Sequence, residues 1–141
     1  MDWTVFNTDY VVGALPLVRK PYAQSYLTDP GTAAVFAEKV DAIRADFRNA
    51  LAMAGNTVDE DATKLPLVCL RHAAHMAEYE LALLLDGESG YVWNPNLSAL
   101  IRAEVYLRAI VETRMQLDAG TGGAPVPTYG PPEVSEPRSL P

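Results

Sequence analysis

The chain has one cysteine, Cys69, in 141 residues. An intramolecular disulfide is therefore excluded, a cysteine-based zinc site is not expected, and Cys69 reads as a small buried hydrophobe. Basic residues are scarce as well: 11 Lys and Arg against 18 Asp and Glu give a formal net charge of −7. Free, sequence-independent binding to nucleic acid requires Lys and Arg to replace counterions, so only passive contact with passing DNA fits this balance. No apolar run reaches the roughly 20 residues of a membrane-spanning helix, and no membrane partner is expected. There is no Gly-rich phosphate loop and no serine or cysteine in a nucleophile setting. Internal repeats are absent. The opening "MDWTVFNTDY" has no basic stretch followed by an apolar run, so no signal peptide is expected and the protein should be made in the cytoplasm.

What is present is helical periodicity. The length suits one domain with a real hydrophobic core, and the pattern predicts an all-α fold: a small bundle of three main helices with long loops and an extended Pro-rich tail. Residues 1–28 read as an irregular segment with one possible short helix, capped by Asn7 or Thr8 and ended by Pro16. "VRKPYAQSYLTDPGT" reads as an extended connection with a turn at Asp29-Pro30-Gly31. Residues 29–120 form the helical domain. Its first helix spans 32–54, with Phe36, Val40, Ile43, Phe47 and Leu51 on one stripe, Asp41 and Arg44 as a solvated pair and Gly55 as a left-handed cap. A polar, acidic connection, "NTVDEDATK", follows.

The second helix begins with Pro66 in its first turn and runs to about Leu85. Leu67, Leu70, Ala74, Ala77, Leu81 and Leu84 make one stripe, and Val68, His72, Met76, Tyr79 and Leu83 make the opposite one. A helix apolar nearly all round is expected to be buried on both sides. The first and third helices can cover one side; the other needs the N-terminal segment, the tail or another subunit. After a loop carrying Tyr91 and Trp93, Asn94 and Pro95 are expected to start the third helix. Leu97, Leu100, Ala103, Leu107, Ile110 and Leu117 would be its inner face, Glu104 and Arg108 an outer pair, and Gly120 its end. Residues 121–141 hold six prolines without hydrophobic periodicity, which predicts a flexible, partly polyproline-like tail.

Two clusters bear on chemistry. His72, His75 and Glu78 lie three apart on one helix surface. The zinc-protease arrangement needs histidines four apart with a glutamate beside the first, and di-iron bundles need ligands from several helices; here one helix carries both histidines. The plainer reading packs His72 within the second stripe, with His75 at its edge. Magnesium held for nucleotide chemistry needs carboxylates clustered on two helices. Glu38 and Asp41 could form one cluster, but Glu78 and Glu80 are two apart and point to different sides of their helix. Trp3, Tyr91 and Trp93 could be recognition aromatics, though such residues more often anchor loops onto a core.

The stretch "LPLVCLRHAAHMAEYELALLLD", an interrupted loop and "LSALIRAEVYLRAIVETRMQLDAGTG" together resemble the head–tail adaptor (connector) proteins of tailed bacteriophages. The matching positions are Leu65, Pro66, Ala73, Ala77, Tyr79, Leu81, Arg102, Tyr106, Ala109, Ile110 and Gly120, and the similarity covers roughly residues 32–120. The resemblance implies a small helical bundle with long loops, a non-enzymatic virion protein present in the host cytoplasm during assembly. It implies a homo-oligomeric ring, commonly of twelve copies, stacked under the portal protein. That ring extends the DNA channel and docks the next neck or tail-completion protein. The family has no catalytic residues or cofactors to carry over. On this reading Val68, His72, Met76, Tyr79, Leu83, Tyr91 and Trp93 contribute the partner or subunit interface. The alternatives are a small metal- or nucleotide-dependent all-α enzyme using His72, His75 and Glu78, and an antitoxin-like partner-binding module.

Overall fold

The computed structural model describes residues 2–88 and 94–117. Its elements run β1 (Trp3–Val5), α1 (Thr8–Ala14), α2 (Lys20–Tyr26), α3 (Pro30–Met53), β2 (Lys64–Pro66), α4 (Leu67–Glu88) and α5 (Leu97–Glu112). The fold is all-α in character: α3, α4 and α5 pack on one another, α1 and α2 pack on the bundle, and one two-stranded ribbon closes it. Helix α4 is the centre, touching α3, α5, α1, α2 and β2.

The N-terminal 28 residues are more regular than the sequence suggests. Asn7 caps α1, its side-chain oxygen accepting the Tyr10 N–H at 3.0 Å. The expected extended connection instead contains α2. Pro21 falls in its first turn, where a missing N–H costs nothing, and fully buried Ala23 anchors the helix against the core. Asp29-Pro30-Gly31 is not a free turn but the start of α3: Asp29 Oδ2 accepts both the N–H and the hydroxyl of Thr32 at 2.9 Å, with Pro30 opening the helix.

The stripe Phe36, Val40, Ile43, Phe47 and Leu51 of α3 is buried as the spacing requires. Gly55 follows at φ +96, and the N–H of Asn56 reaches back to the Leu51 carbonyl at 3.0 Å, a helix end that glycine makes without steric cost. Pro66 does not open α4. Leu65, preceding a proline, is biased to extended backbone, and Lys64–Pro66 pairs antiparallel with Trp3–Val5 in the register Trp3↔Pro66, Thr4↔Leu65, Val5↔Lys64. Leu65 is thereby fully buried. Arg48 of α3 secures this end, its guanidinium donating to the carbonyls of Asp59, Asp61 and Lys64 and standing 5.6 Å from the centre of the Trp3 ring.

Helix α5 is capped by Asn96, two residues after the expected Asn94, through the Ala99 N–H at 3.0 Å. It ends at Glu112, well before Gly120, which lies outside the described residues. Arg114 adopts φ 51 there, and the Met115 N–H returns to the Ile110 carbonyl at 3.0 Å. The inner face of α5 is Ala99, Ala103 and Ile110, whereas Leu97 faces outward. Helix α4 likewise buries Cys69, Ala73, Ala77 and Leu81, while Leu67 of the expected inner stripe is exposed. Alanine shares the buried line of α4 with Cys69 and Leu81 and that of α5 with Ile110, and small side chains at facing positions let helix axes approach closely.

Candidate interaction face

The outward side of α4 is where the sequence-derived site residues fall, with two qualifications. Val68 and Leu83 are 45% and 54% exposed, and His72 and Tyr79 between them are half-buried. Among the described residues this side, the stripe expected to need the N-terminal segment, the tail or another subunit as its cover, stays partly open. Met76 turns to its edge and lines a groove of about 590 Å³ with Ala50 and Met53 of α3 and Leu107 and Val111 of α5. Tyr91 and Trp93 lie outside the described residues.

The His72 ring stacks on Tyr106 of α5, centroids 4.2 Å apart and planes inclined by 20°. The contact sets α4 against α5 and covers one edge of the outward stripe. Cys69, adjacent to Tyr106, is fully buried, and burial pushes its thiol up to about 12. Burial, together with the adjacent Cys69, also pushes the Tyr106 hydroxyl up to about 12. Both groups stay protonated at neutral pH, so neither supplies a thiolate or phenolate nucleophile there.

The surroundings of His72 are cationic. Burial, then His75, Arg71 and Arg102, hold its imidazole below the ordinary value of 6.5. Arg71 and Arg102 are exposed and, among the described residues, neither has a carboxylate partner. A chain of net charge −7 thus carries a local positive rim around an aromatic and aliphatic strip.

Of the residues of the enzyme reading, His75 and Glu78 come together and His72 turns away from them. Glu78 Oε2 accepts from Arg19 Nη1 at 3.0 Å and Glu78 Oε1 lies 4.0 Å from His75 Nδ1, while His72 faces Tyr106. Glu80 turns to Lys39, 3.9 Å away on α3, so the two glutamates do lie on different sides of α4. Among the described residues no group of three His, Cys, Asp or Glu is placed to hold a metal ion. A cavity of about 280 Å³ between α1 and α4 is lined by Tyr10, Leu15, Arg71, His75 and Glu78; its carboxylate is already neutralised by Arg19.

Helix α5 adds a surface that the sequence analysis missed. Leu97, Ile101 and Val105, spaced by four, are all more than half exposed, giving one apolar line along the outer side of α5. Their spacing was legible, but its assignment to the outside needed the alanine-lined inner face to be recognised first. Comparison with protein-family models, with curated proteins and with solved structures finds no match for this chain.

Proposed function

We propose that this protein is a structural assembly subunit, a head–tail adaptor that forms an oligomeric ring beneath a phage portal and presents a docking surface to the next neck or tail component. The observation that carries the reading is the outward side of α4 and α5: Val68, Leu83, Ile101 and Val105 are exposed on the two helices that are otherwise the heart of the bundle. Contiguous exposed apolar surface on a small protein is characteristic of protein contact sites. The resemblance of the sequence over roughly residues 32–120 to the adaptor pattern supports the same reading. The acidic balance suits a channel through which DNA must slide, since strong cationic contacts would retain it.

Light scattering and electron microscopy of the purified chain, alone and mixed with a tailed-phage portal assembly, test the proposal. A ring that forms with the portal and is lost in Val68→Glu combined with Ile101→Glu is the expected result. A chain that stays monomeric in the presence of that portal overturns it.

A further inference from the structure

The outward strip of α4 has a definite shape and charge. From Val68 to Leu83 it spans fifteen helical steps, about 22 Å, with the His72–Tyr106 stack and Tyr79 between. Arg71 borders it toward α1, whose cavity it lines, and Arg102 borders it on α5. An occupant should offer an apolar edge to the aromatics and carboxylates to the arginines.

One segment of this chain has that pattern. "PPEVSEP", residues 131–137, carries Pro131, Val134 and Pro137 at intervals of three, and Glu133 and Glu136 at the same interval. A polyproline II helix repeats every three residues, so in that geometry the prolines and valine share one edge and the two carboxylates another. Seven such residues extend about 20 Å, close to the length of the strip. Proline-rich segments dock in aromatic-lined grooves because this conformation loses little entropy on binding.

We propose that residues 131–137 dock on the outward strip of α4 in the same chain, with Pro131, Val134 and Pro137 on Tyr79, His72 and the flanking aliphatic residues, and the carboxylate edge of Glu133 and Glu136 turned to the Arg71 flank. The connection is long enough. From Leu117, held beside Asn56 at the end of α3, fourteen residue steps lead to Pro131. These reach about 43 Å when extended, against about 33 Å for the whole of α4. Tethering makes the segment's effective concentration at the strip of millimolar order, which favours it over a free acidic peptide of similar pattern.

A nitroxide on Ser135→Cys in the full chain tests the docking. Ser135 falls on the third edge of the polyproline helix, and buried Cys69 is shielded from the label. The expected result is selective loss of amide signal at Val68, His72, Tyr79 and Leu83 at high dilution. Glu133→Lys with Glu136→Lys should abolish that loss, and adding Arg71→Glu should restore it. Uniform broadening, or broadening centred on another face, overturns the proposal. So does transfer of the effect to isotope-labelled, spin-free copies in a mixed sample, which would place the tail on a second molecule. Failure to form a ring with the portal leaves these signals unaffected and counts only against the adaptor function.

Discussion

Asn56 and Leu117, 61 positions apart, are joined by the Leu117 N–H donating to Asn56 Oδ1 at 2.9 Å. The same side chain donates through Nδ2 to the carbonyls of Met115 at 2.7 Å and Leu51 at 3.1 Å. One amide thus ties the end of α3 to the turn after α5, and Gln116 adds a bond to the Ala54 carbonyl at 2.9 Å. Asn56→Ala removes three partners from partly buried backbone groups and is expected to destabilise the fold by about 2 kcal/mol. Urea unfolding checks the value; a change within experimental error would show that water replaces the clasp.

Arg114 occupies the left-handed backbone position that Gly55 occupies at the equivalent end of α3. A non-glycine residue there is strained by about 1–2 kcal/mol, part of which glycine returns through its more mobile unfolded chain. Arg114→Gly should stabilise the protein by about 0.5–1 kcal/mol, visible as a rise in thermal midpoint. A lower midpoint would contradict the assignment of strain to this residue.

Ala77 is fully buried on the inner face of α4, whereas Leu83 lies outside. Ala77→Leu should destabilise by about 1–3 kcal/mol through overpacking, whereas Leu83→Ala should change stability by no more than about 0.5 kcal/mol. Chemical denaturation of the two variants side by side separates core from surface on α4, and equal costs would refute the rotational setting described above.

Stability should fall on mild acidification because of His72. Its folded pKa lies below the ordinary 6.5, through burial first and then His75, Arg71 and Arg102. As pH drops below 6.5 the unfolded chain binds the proton before the folded chain does, so unfolding becomes easier until the folded imidazole also titrates. Above 6.5 the group contributes no slope. The hydrogen-bonded carboxylates Asp29 and Asp61 are held below the ordinary 3.8 and titrate outside this window. His72→Gln should flatten the stability profile just below 6.5, and an unchanged slope would exclude His72 as its source.

Cys69 should react with thiol reagents only when the bundle opens. Its side chain is fully buried and its thiol is pushed up to about 12, so the native thiolate fraction at neutral pH is negligible. Labelling rates should therefore rise with denaturant in parallel with unfolding. Rapid modification in native buffer would indicate a local opening between α4 and α5.

Much of the main bundle was legible in the sequence because it follows from spacing and end signals. The Phe36–Leu51 stripe, the Asn7 cap and the Gly55 terminus are each local, and each is found as read. Helix α2 was not legible, because Pro21 reads equally as a breaker or as a first-turn residue and only the packing of Ala23 decides. Nor was the pairing of Trp3–Val5 with Lys64–Pro66, whose partners are some sixty residues apart. The inner faces of α4 and α5 were read correctly at Leu70, Ala77, Leu81, Ala103 and Ile110, whereas Leu67 and Leu97 at the helix starts face outward.

By itself the sequence determined that the chain is helical and acidic, because composition and period are properties of the chain alone. Tertiary structure decided which way each helix is turned. Orientation depends on what lies opposite, so only the assembled bundle could bury Ala73 and Ala77, leave Val68 and Ile101 outside, and set Arg102 of α5 near His72.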